Sequence, residues 1–327
     1  MRLFGRRPLG TGDFTRIFYT TDLHGSDTCF AKFLNGADVY SADVLILGGD
    51  VAGKMMVPIV RRDGHWEVEV FGQLRTAETE HELGVLESIL RTNGFYPHRT
   101  TPDEVADLQG DQSRVEDVFL ALMMETMARW MEMADRKLAG KPVRCYVNLG
   151  NDDPPELAPI IEEAEHVIYP DEQALDIDDH HQMASCGYAN MTPWRCARDL
   201  PEEELATRLE SVISKVRDLR RCIVNFHAPP FDSTLDLAPE LTEDLKPVTV
   251  GGQPNMIPVG SRAVRESIEE HQPLLGLHGH IHEARGAVNI GRTLCINPGS
   301  EYSEGVVHGV LINLRQGEIL SHQFVSG

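Results

Sequence analysis

GLHGHIHEARG, residues 276–286, places three histidines on alternate positions. His278, His280 and His282 follow the apolar run LLGL (274–277), which predicts a short buried strand. A packed core has no use for three imidazoles so close together, and an exposed loop does not require them. The stretch therefore predicts a functional site at the end of a strand, with its other members supplied from elsewhere in the chain.

Four earlier apolar runs also predict strands that are followed at once by polar residues. The stretches are RIFYTTDLHG (16–25), ADVLILGGD (42–50), VRCYVNLGND (143–152) and CIVNFHAPP (222–230). The polar residues after these runs are Asp22 and His24, Asp50, Asn151 and Asp152, and His227. Open α/β sheets bind ligands at the carboxyl ends of their strands. We therefore expect these side chains to complete one site with the histidines of 276–286.

The rest of the chain alternates short apolar runs with amphipathic stretches, which predicts an α/β fold. Closing strands are expected in GRTLCINPGS (291–300), GVVHGVLINL (305–314) and EILSHQFV (318–325). Helices are expected over 113–139, with Ser113 and Glu116 as a capping box, over 202–220, and from Thr101-Pro102 onwards.

The gap between GGD (48–50) and LGND (149–152) is much longer than one helical crossover needs. Residues 53–112 are therefore interpreted as an insertion within a single domain of residues 1–327. A short hairpin around HWEVEVFG (65–72) and then helices are expected there. The insertion is either a lid or interface beside the site or a decoration without a role, and the sequence leaves both open.

Composition narrows the class of partner. The chain of 327 residues is 41% hydrophobic and 25% charged, with a formal net charge of −21. Such a charge argues against sequence-independent binding to nucleic acid, which needs Lys and Arg surfaces. It permits a phosphate-bearing substrate if bound cations supply the positive charge.

The cellular compartment is predicted from cysteines and apolar runs. Six cysteines occur without a CxxC pair, which favours a reducing cytoplasm. No apolar run of signal-peptide length follows Arg6-Arg7, and no run approaches the roughly 20 apolar residues of a membrane span. A cytoplasmic protein without a membrane partner is therefore expected.

The mixture of side chains at the predicted site suits a pair of divalent metal ions. Carboxylates bind hard cations and one carboxylate can bridge two of them, while imidazole and amide ligands make the site suitable for Mn, Fe or Zn. Two metals about 3.5–4 Å apart can clamp a phosphoryl group. The residue types alone thus point to metal-dependent phosphoester chemistry.

The dispersed motifs resemble those of the calcineurin-like metallophosphoesterase superfamily. They are Asp22-x-His24, Gly49-Asp50, Gly150-Asn151-Asp152, His227 and Gly279-His280-x-His282, and they span residues 22–282 in the family's order. HAPPFDSTLD (227–236) and GHIHEARG followed by INPGS (279–300) look like the small prokaryotic branch. The resemblance implies a four-layer α/β/β/α sandwich.

The resemblance also implies the roles of individual residues. Asp22, His24, Asp50 and His282 would bind one metal. The second metal would be bound by Asp50 as the bridge, Asn151, His227 and His280. A hydroxide held between the metals would attack phosphorus in line, with Asp50, Asn151, Asp152 and His227 as the catalytic residues.

One position departs from the family pattern. Many members have a histidine after the motif asparagine, where it helps to bind phosphate and to protonate the leaving oxygen, whereas this chain has Asp152. A carboxylate repels an incoming phosphate unless it is protonated or turned away. Phosphodiesters with good leaving groups would suffer least, which favours a phosphodiesterase acting on a small molecule.

Several alternatives stay open at this point. Within enzymes they are a phosphomonoesterase or a protein phosphatase; outside them, a non-catalytic metal-binding scaffold on the same fold. A nuclease is disfavoured by the net charge, and the oligomeric state is not predicted. His278 lies outside the family pattern and is interpreted as structural, and His180 and His181 as solvated loop residues.

Overall fold

The computed structural model describes residues 14–327, so the prediction made around Arg6-Arg7 lies outside the described residues. The described part is of mixed α/β structure. Its α-helices are α1 Asp27–Val39, α2 Glu80–Thr92, α3 Pro102–Gln109, α4 Gln112–Leu138, α5 Ala158–Glu162, α6 Glu202–Ile213 and α7 Arg262–His271. Within residues 14–327, none of these helices has both the length and the apolar character of a membrane span.

The strands follow the predicted apolar runs, with additional short strands between them. In chain order they are β1 Thr15–Thr20, β2 Val44–Leu47, β3 Met55–Arg62, β4 His65–Val70, β5 Gln73–Ala77, β6 Phe95–Thr100, β7 Arg144–Val147, β8 Val167–Ile168, β9 Ala174–Asp176, β10 Gln182–Cys186, β11 Ala189–Asn190, β12 Asp199–Leu200, β13 Cys222–Phe226, β14 Leu237–Pro239, β15 Thr249–Val250, β16 Gln253–Pro254, β17 Met256–Pro258, β18 Leu275–Leu277, β19 Gly286–Ile290, β20 Thr293–Asn297, β21 His308–Arg315 and β22 Glu318–Ser326.

Two six-stranded sheets form the body of the described chain. The first sheet has the order β22-β21-β1-β2-β7-β8, and its strands β1, β2, β7 and β8 are parallel. The second sheet has the order β19-β20-β18-β13-β10-β9, in which β20, β18, β13 and β10 are parallel. Parallel strands end on the same side of a sheet, so each sheet gathers several strand ends at one edge.

Both faces of the first sheet are buried, as its uninterrupted apolar runs require. Along β1, Ile17 and Tyr19 lie in a hydrophobic cluster shared with the second sheet, whereas Phe18 lies in a cluster with residues of α1 and α4. Strand β2 alternates in the same way, with Val44 and Ile46 in the shared cluster. The first sheet is thus covered by helices on one face and by the second sheet on the other.

The second sheet has the same two-sided burial. Ile223 of β13 belongs to the cluster shared with the first sheet, whereas Val224 and Phe226 pack with Leu209 of α6 and Val264 of α7. Apolar side chains buried on both faces provide the main stabilisation of such layers. The strand ends are thereby held in fixed relative positions.

The insertion differs from the prediction of a hairpin followed by helices. Strands β3 and β6 extend the β4–β5 hairpin into a four-stranded sheet of order β5-β4-β3-β6, with α2 packed against it. This sheet has its own apolar cluster, which includes Ile59, Val68 and Leu83. The predicted hairpin and helices are present, as β4–β5, α2 and α3, but the description as a helical insertion was wrong in omitting β3 and β6. These two strands are separated by 32 residues (63–94), so their parallel pairing is not visible in local sequence.

Two helix boundaries also differ from the prediction. The N-cap of α4 is Asp111, whose carboxylate accepts from the amide of Arg114, so the Ser113–Glu116 capping box was wrong. Helix α6 ends at Ile213 rather than near 220, and Asp218 then caps a separate 3-10 turn, Leu219–Arg221. An aspartate that accepts from nearby amides favours such a new start over continuation of the helix.

The sheets are joined at the end opposite the predicted site by Asp178, which lies between β9 and β10. Its carboxylate accepts from the hydroxyl of Thr15 in β1 at 2.6 Å and from the amides of His180 and His181 at 2.7 Å. His181 is buried, with a ring nitrogen 2.8 Å from Asp178 and the other accepting from the Gly317 amide. The interpretation of His181 as a solvated loop residue was therefore wrong.

Asp178→Asn is expected to lower the free energy of unfolding near pH 7 by about 2 kcal/mol, the worth of hydrogen bonds to a charged group. Burial works to raise the pKa of Asp178, but the bonds from His181, Thr15 and the His180 amide hold it well below its usual value. A lowered folded-state pKa stabilises above the unfolded pKa of about 4 and loses that contribution as pH falls through the folded value. The difference in free energy of unfolding between variant and wild type, measured by urea unfolding, should therefore become smaller below about pH 4.

The control for this prediction is Asp179→Asn, which changes the exposed neighbouring carboxylate. It should unfold like the wild type at both acid and neutral pH. A pH-independent gap for Asp178→Asn would contradict the ionised role of Asp178.

Candidate metal centre

The polar residues predicted from sequence meet at one edge of the molecule, where strands of both sheets end. Three loops come from the first sheet, after β1, β2 and β7, and two from the second, after β13 and β18. They carry Asp22 and His24, Asp50, Asn151 and Asp152, His227, and His280 and His282 respectively. The site therefore lies across the junction of the sheets rather than along one sheet.

The side chains form two compact groups of possible metal ligands. Asp22, His24 and His282 offer atoms that all lie within 4.8 Å of one another, and so do Asp50, His227 and His280. Each group has one carboxylate and two imidazoles. A third set of residues, His24, Asp50 and Asp152, also has ligand atoms within 4.8 Å of one another, so the two groups lie side by side.

Asp50 lies between the two groups and is almost fully buried. Its Oδ1 is 3.2 Å from Nε2 of His227, and its Oδ2 is 3.7 Å from Nε2 of His24. The amide of Asp152 donates to Oδ1 at 3.1 Å, which fixes the carboxylate plane. One oxygen of Asp50 is thus turned towards each group.

The charges are divided unequally among the imidazoles. Burial works to lower the pKa of His227, but the Asp50 carboxylate raises it to about 9. Burial, with the charge of His227, lowers the pKa of His280 to about 4. His280 therefore presents a free lone pair at neutral pH, whereas His227 carries a proton opposite Asp50 that a bound cation must displace.

Several of the candidate ligands adopt left-handed backbone, which is uncommon for residues other than glycine. The φ angles are 55° at Asp22, 40° at His24, 50° at Asp50 and 66° at His280. The loops are nevertheless held together, since the amide of Asp22 donates to Gly49 O and that of His24 to Asp50 O, at 2.9 and 3.0 Å. Such outliers cluster at functional sites, where the surrounding structure imposes them.

Two glycines before ligands allow loops from different strands to approach. A Cβ on Gly150 would overlap the side chain and amide of Asp50, and a Cβ on Gly279 would overlap the carboxylate of Asp22. The motifs Gly-Asn-Asp and Gly-His are thus explained by close backbone approach. The amide of His280, directly after Gly279, donates to both carboxylate oxygens of Asp22 at 3.1 Å.

Asn151 is oriented by Asp199, a residue that the sequence analysis did not identify. The Asn151 Nδ2 donates to Asp199 Oδ1 at 2.8 Å, which leaves Oδ1 of Asn151 buried and without a hydrogen-bond partner. The other oxygen of Asp199 accepts from the Thr192 amide and hydroxyl and from the Cys196 amide. Asp199 is not part of a recognisable sequence motif, so its role becomes visible only in the folded structure.

Two further buried residues support the loops of the second sheet. His278 directs Nδ1 at the carbonyls of Phe226 and Ala228, on either side of His227, at 2.8 and 3.1 Å. Asn297 donates to the carbonyls of Gly279 and Ile281, on either side of His280. The contacts of His278 agree with its interpretation as structural.

The rim of the site holds an ion pair. Lys54 Nζ lies 3.0 Å from Oδ2 of Asp152, which is itself 4.0 Å from Nδ1 of His24. Partial burial works to lower the pKa of Lys54, but the carboxylates of Asp50 and Asp152 raise it above its usual value. Lys54 was also missed in the sequence, although a lysine four positions after Asp50 is a cation close to the motif.

The donor set fits divalent metal ions. Oδ1 of Asn151 is buried without a hydrogen-bond partner, an expensive state for a polar atom, and Nε2 of His227 faces only the Asp50 carboxylate. His24 and His282 face each other with their Nε2 atoms 3.0 Å apart. Carboxylate, imidazole and amide oxygen together suit Mn, Fe or Zn, and a cation would give the Asn151 oxygen a partner.

Comparison by sequence leaves the family open. No family model matches the chain. A segment of 114 residues, 34% of this chain, is 31% identical to the uncharacterized protein MJ1162 of Methanocaldococcus jannaschii. The match spans 45% of that protein.

Comparison by structure shows similarity of fold. The protein TT1561 of Thermus thermophilus aligns over 96% of this chain and 98% of its own, with a TM-score of 0.51 at 16% identity. Another solved structure aligns over the same shares with a TM-score of 0.54, also at 16% identity. A structure described as a novel archaeal phosphodiesterase covers 60% of this chain and 91% of its own, with a TM-score of only 0.25.

Asp199→Ala is expected to loosen the loop that orients Asn151, because it removes both the oxygen that accepts from Asn151 and the oxygen that accepts from the Thr192 and Cys196 amides. Amide exchange in residues 190–199, followed by mass spectrometry, should become about tenfold faster, since the loss of a hydrogen bond to a charged group costs about 1.5 kcal/mol. Asp218→Ala, which removes the cap of a distant short turn, is the matched control. Unchanged exchange over 190–199 in Asp199→Ala would contradict the ordering role.

Proposed function

We propose that the protein is a metal-dependent phosphodiesterase with two divalent metal ions. The observation that carries the proposal is the position of Asp50, which turns one oxygen towards His227 and the other towards His24. A buried carboxylate between two groups of ligands is what a shared ligand of two metals requires. The buried oxygen of Asn151, which has no hydrogen-bond partner, supports the same arrangement.

The residues divide between two metals as the geometric groups suggest. Asp22, His24 and His282 would hold one ion together with Asp50. The other would be held by Asp50, Asn151, His227 and His280. Two such ions, when bound, supply Lewis acidity that polarises a phosphoryl oxygen and makes a water molecule acidic.

The residues of the chain add orientation to this chemistry. Asp199 holds the Asn151 amide through its Nδ2, which leaves the oxygen without a partner, and His278 directs its Nδ1 at the carbonyls beside His227. Rigid placement of ligands lowers the reorganisation needed during reaction. The catalytic set of the proposal is Asp50, Asn151, Asp152 and His227.

Asp152 supports a diester rather than a monoester substrate. It occupies the position after Asn151, and its carboxylate is paired with Lys54 instead of offering an imidazole proton. A phosphodiester with a good leaving group needs protonation of that group least. Such a diester also carries one negative charge, which a strongly acidic protein tolerates better than two.

The fold and domain organisation belong to the same proposal. Helices, the first sheet, the second sheet and further helices would correspond to the four-layer α/β/β/α sandwich of the calcineurin-like family. Residues 1–327 would then be one domain with the four-stranded insertion inside it. Successive side chains of β1 pack alternately against helices and against the second sheet, which supports this arrangement.

We also propose that the partner is a small phosphoester in the cytoplasm. The net charge of −21 disfavours nucleic acid as a partner, and the pattern of apolar residues disfavours a membrane. All six cysteines are free thiols, which supports a reducing cytoplasm.

Metal-stripped protein should not hydrolyse bis-p-nitrophenyl phosphate, and Mn²⁺ should restore activity. Asp50→Asn should lower the Mn²⁺-dependent rate by at least about 100-fold, because the shared ligand loses its charge while keeping its shape. Hydrolysis of p-nitrophenyl phosphate, measured beside it, should be slower. Cleavage of the monoester alone would agree with the metal assignment but contradict the assignment as a phosphodiesterase.

The matched control is Asp43→Asn, which changes another buried carboxylate directly before the same strand, β2, at the end opposite Asp50. It should bind Mn²⁺ and hydrolyse the diester like the wild type. Titration calorimetry should find two Mn²⁺ per wild-type chain and fewer in Asp50→Asn. Two tightly bound ions without turnover of either ester would favour a metal-binding scaffold.

A further inference from the structure

The Lys54–Asp152 ion pair is the feature that the metal assignment does not use. Lys54 lies at the junction between the loop after β2 and strand β3, where the inserted sheet begins. Its backbone neighbourhood is fixed, because the amides of Val51 and Ala52 donate to Asp153 and that of Gly53 donates to the Tyr96 hydroxyl at 2.7 Å. The start of the insertion therefore presents a lysine to the site in a defined position.

The site is rich in negative charge. Asp22, Asp50 and Asp199 are carboxylates of the site, and Asp152 lies at the rim. Arg198, a nearby buried cation, is committed to Asp171 and to the carbonyl of Gly150. An anion that enters meets Lys54 as a cation with a half-exposed side chain, at 48% exposure.

The ion pair can be rearranged at small cost. Both of its side chains are partly exposed, and pairs of this kind contribute about 1 kcal/mol or less. A phosphoryl oxygen offers Lys54 a charge-assisted hydrogen bond that replaces the one to Asp152. The pair therefore keeps the lysine beside the ligands without fixing it there.

We propose that Lys54 is a substrate-binding residue that contacts a non-bridging phosphoryl oxygen, and that Asp152 positions it. This inference rests on the proposed function, since the phosphoryl group must be brought to the site by the metals. It gives the insertion a role, because its first side chain completes the phosphate-binding surface. It also explains how the carboxylate at position 152 is compatible with an anionic substrate: Lys54 neutralises it.

Orthophosphate binding to the Mn²⁺-loaded protein, measured by calorimetry, tests the inference independently of turnover. Lys54→Met should weaken orthophosphate binding about tenfold, equivalent to about 1.4 kcal/mol, and leave the Mn²⁺ stoichiometry unchanged. Lys54→Arg should restore most of the affinity because it keeps the charge. Lys141→Met, which breaks a Lys–Asp pair with Asp38 far from the site, should have no effect.

The double variant separates contact from simple neutralisation of Asp152. If Lys54 contacts the phosphoryl oxygen, Lys54→Met will weaken orthophosphate binding in the Asp152→Asn background as well. If Lys54 only neutralises Asp152, Lys54→Met will have no effect in that background, and the inference is overturned. With bis-p-nitrophenyl phosphate, Lys54→Met should raise KM more than it lowers kcat.

The remaining outcomes also distinguish the two proposals. Wild-type protein that binds no Mn²⁺ contradicts the proposed function itself. If the wild type binds two Mn²⁺ and orthophosphate, and Lys54→Met binds both as well as the wild type does, only the role of Lys54 is contradicted. Wild type that binds Mn²⁺ but no orthophosphate contradicts the phosphate-binding surface.

Discussion

The buried carboxylate of Asp50 is the constraint on which the rest of the site depends. A carboxylate taken out of water is stable only if charges and donors compensate it. Here His227 and His24 face its two oxygens and the Asp152 amide donates to one of them. These partners come from three loops, so compensation of one charge fixes the relative positions of strands in both sheets.

The two sheets make this arrangement rigid by burial on both faces. Their shared apolar cluster holds the strand ends together from within, and Asp178 joins the sheets at the opposite end. The strained backbone at Asp22, His24, Asp50 and His280 is sustained by that framework. Stability is thus concentrated in the layers, and the unpaired oxygen of Asn151 lies at the site.

The sequence predicted the parts of this structure that local pattern encodes. Apolar runs located the central strands, and polar residues directly after them located the site, because a strand end fixes where the next side chain lies. Local pattern could not predict the parallel pairing of β3 with β6, which requires distant residues to meet. Nor could it predict Asp199 or Lys54, whose roles arise only when separate loops are brought together.

The central claim is that the Asp and His groups bind two metal ions that share Asp50. Crystals grown with Mn²⁺ and measured at the manganese absorption edge test it most directly. The account predicts two anomalous peaks about 3.5–4 Å apart, one beside Asp22, His24 and His282 and the other beside His227 and His280, with Asp50 contacting both. The absence of anomalous density between these residues, at a Mn²⁺ concentration that saturates binding in solution, would contradict it.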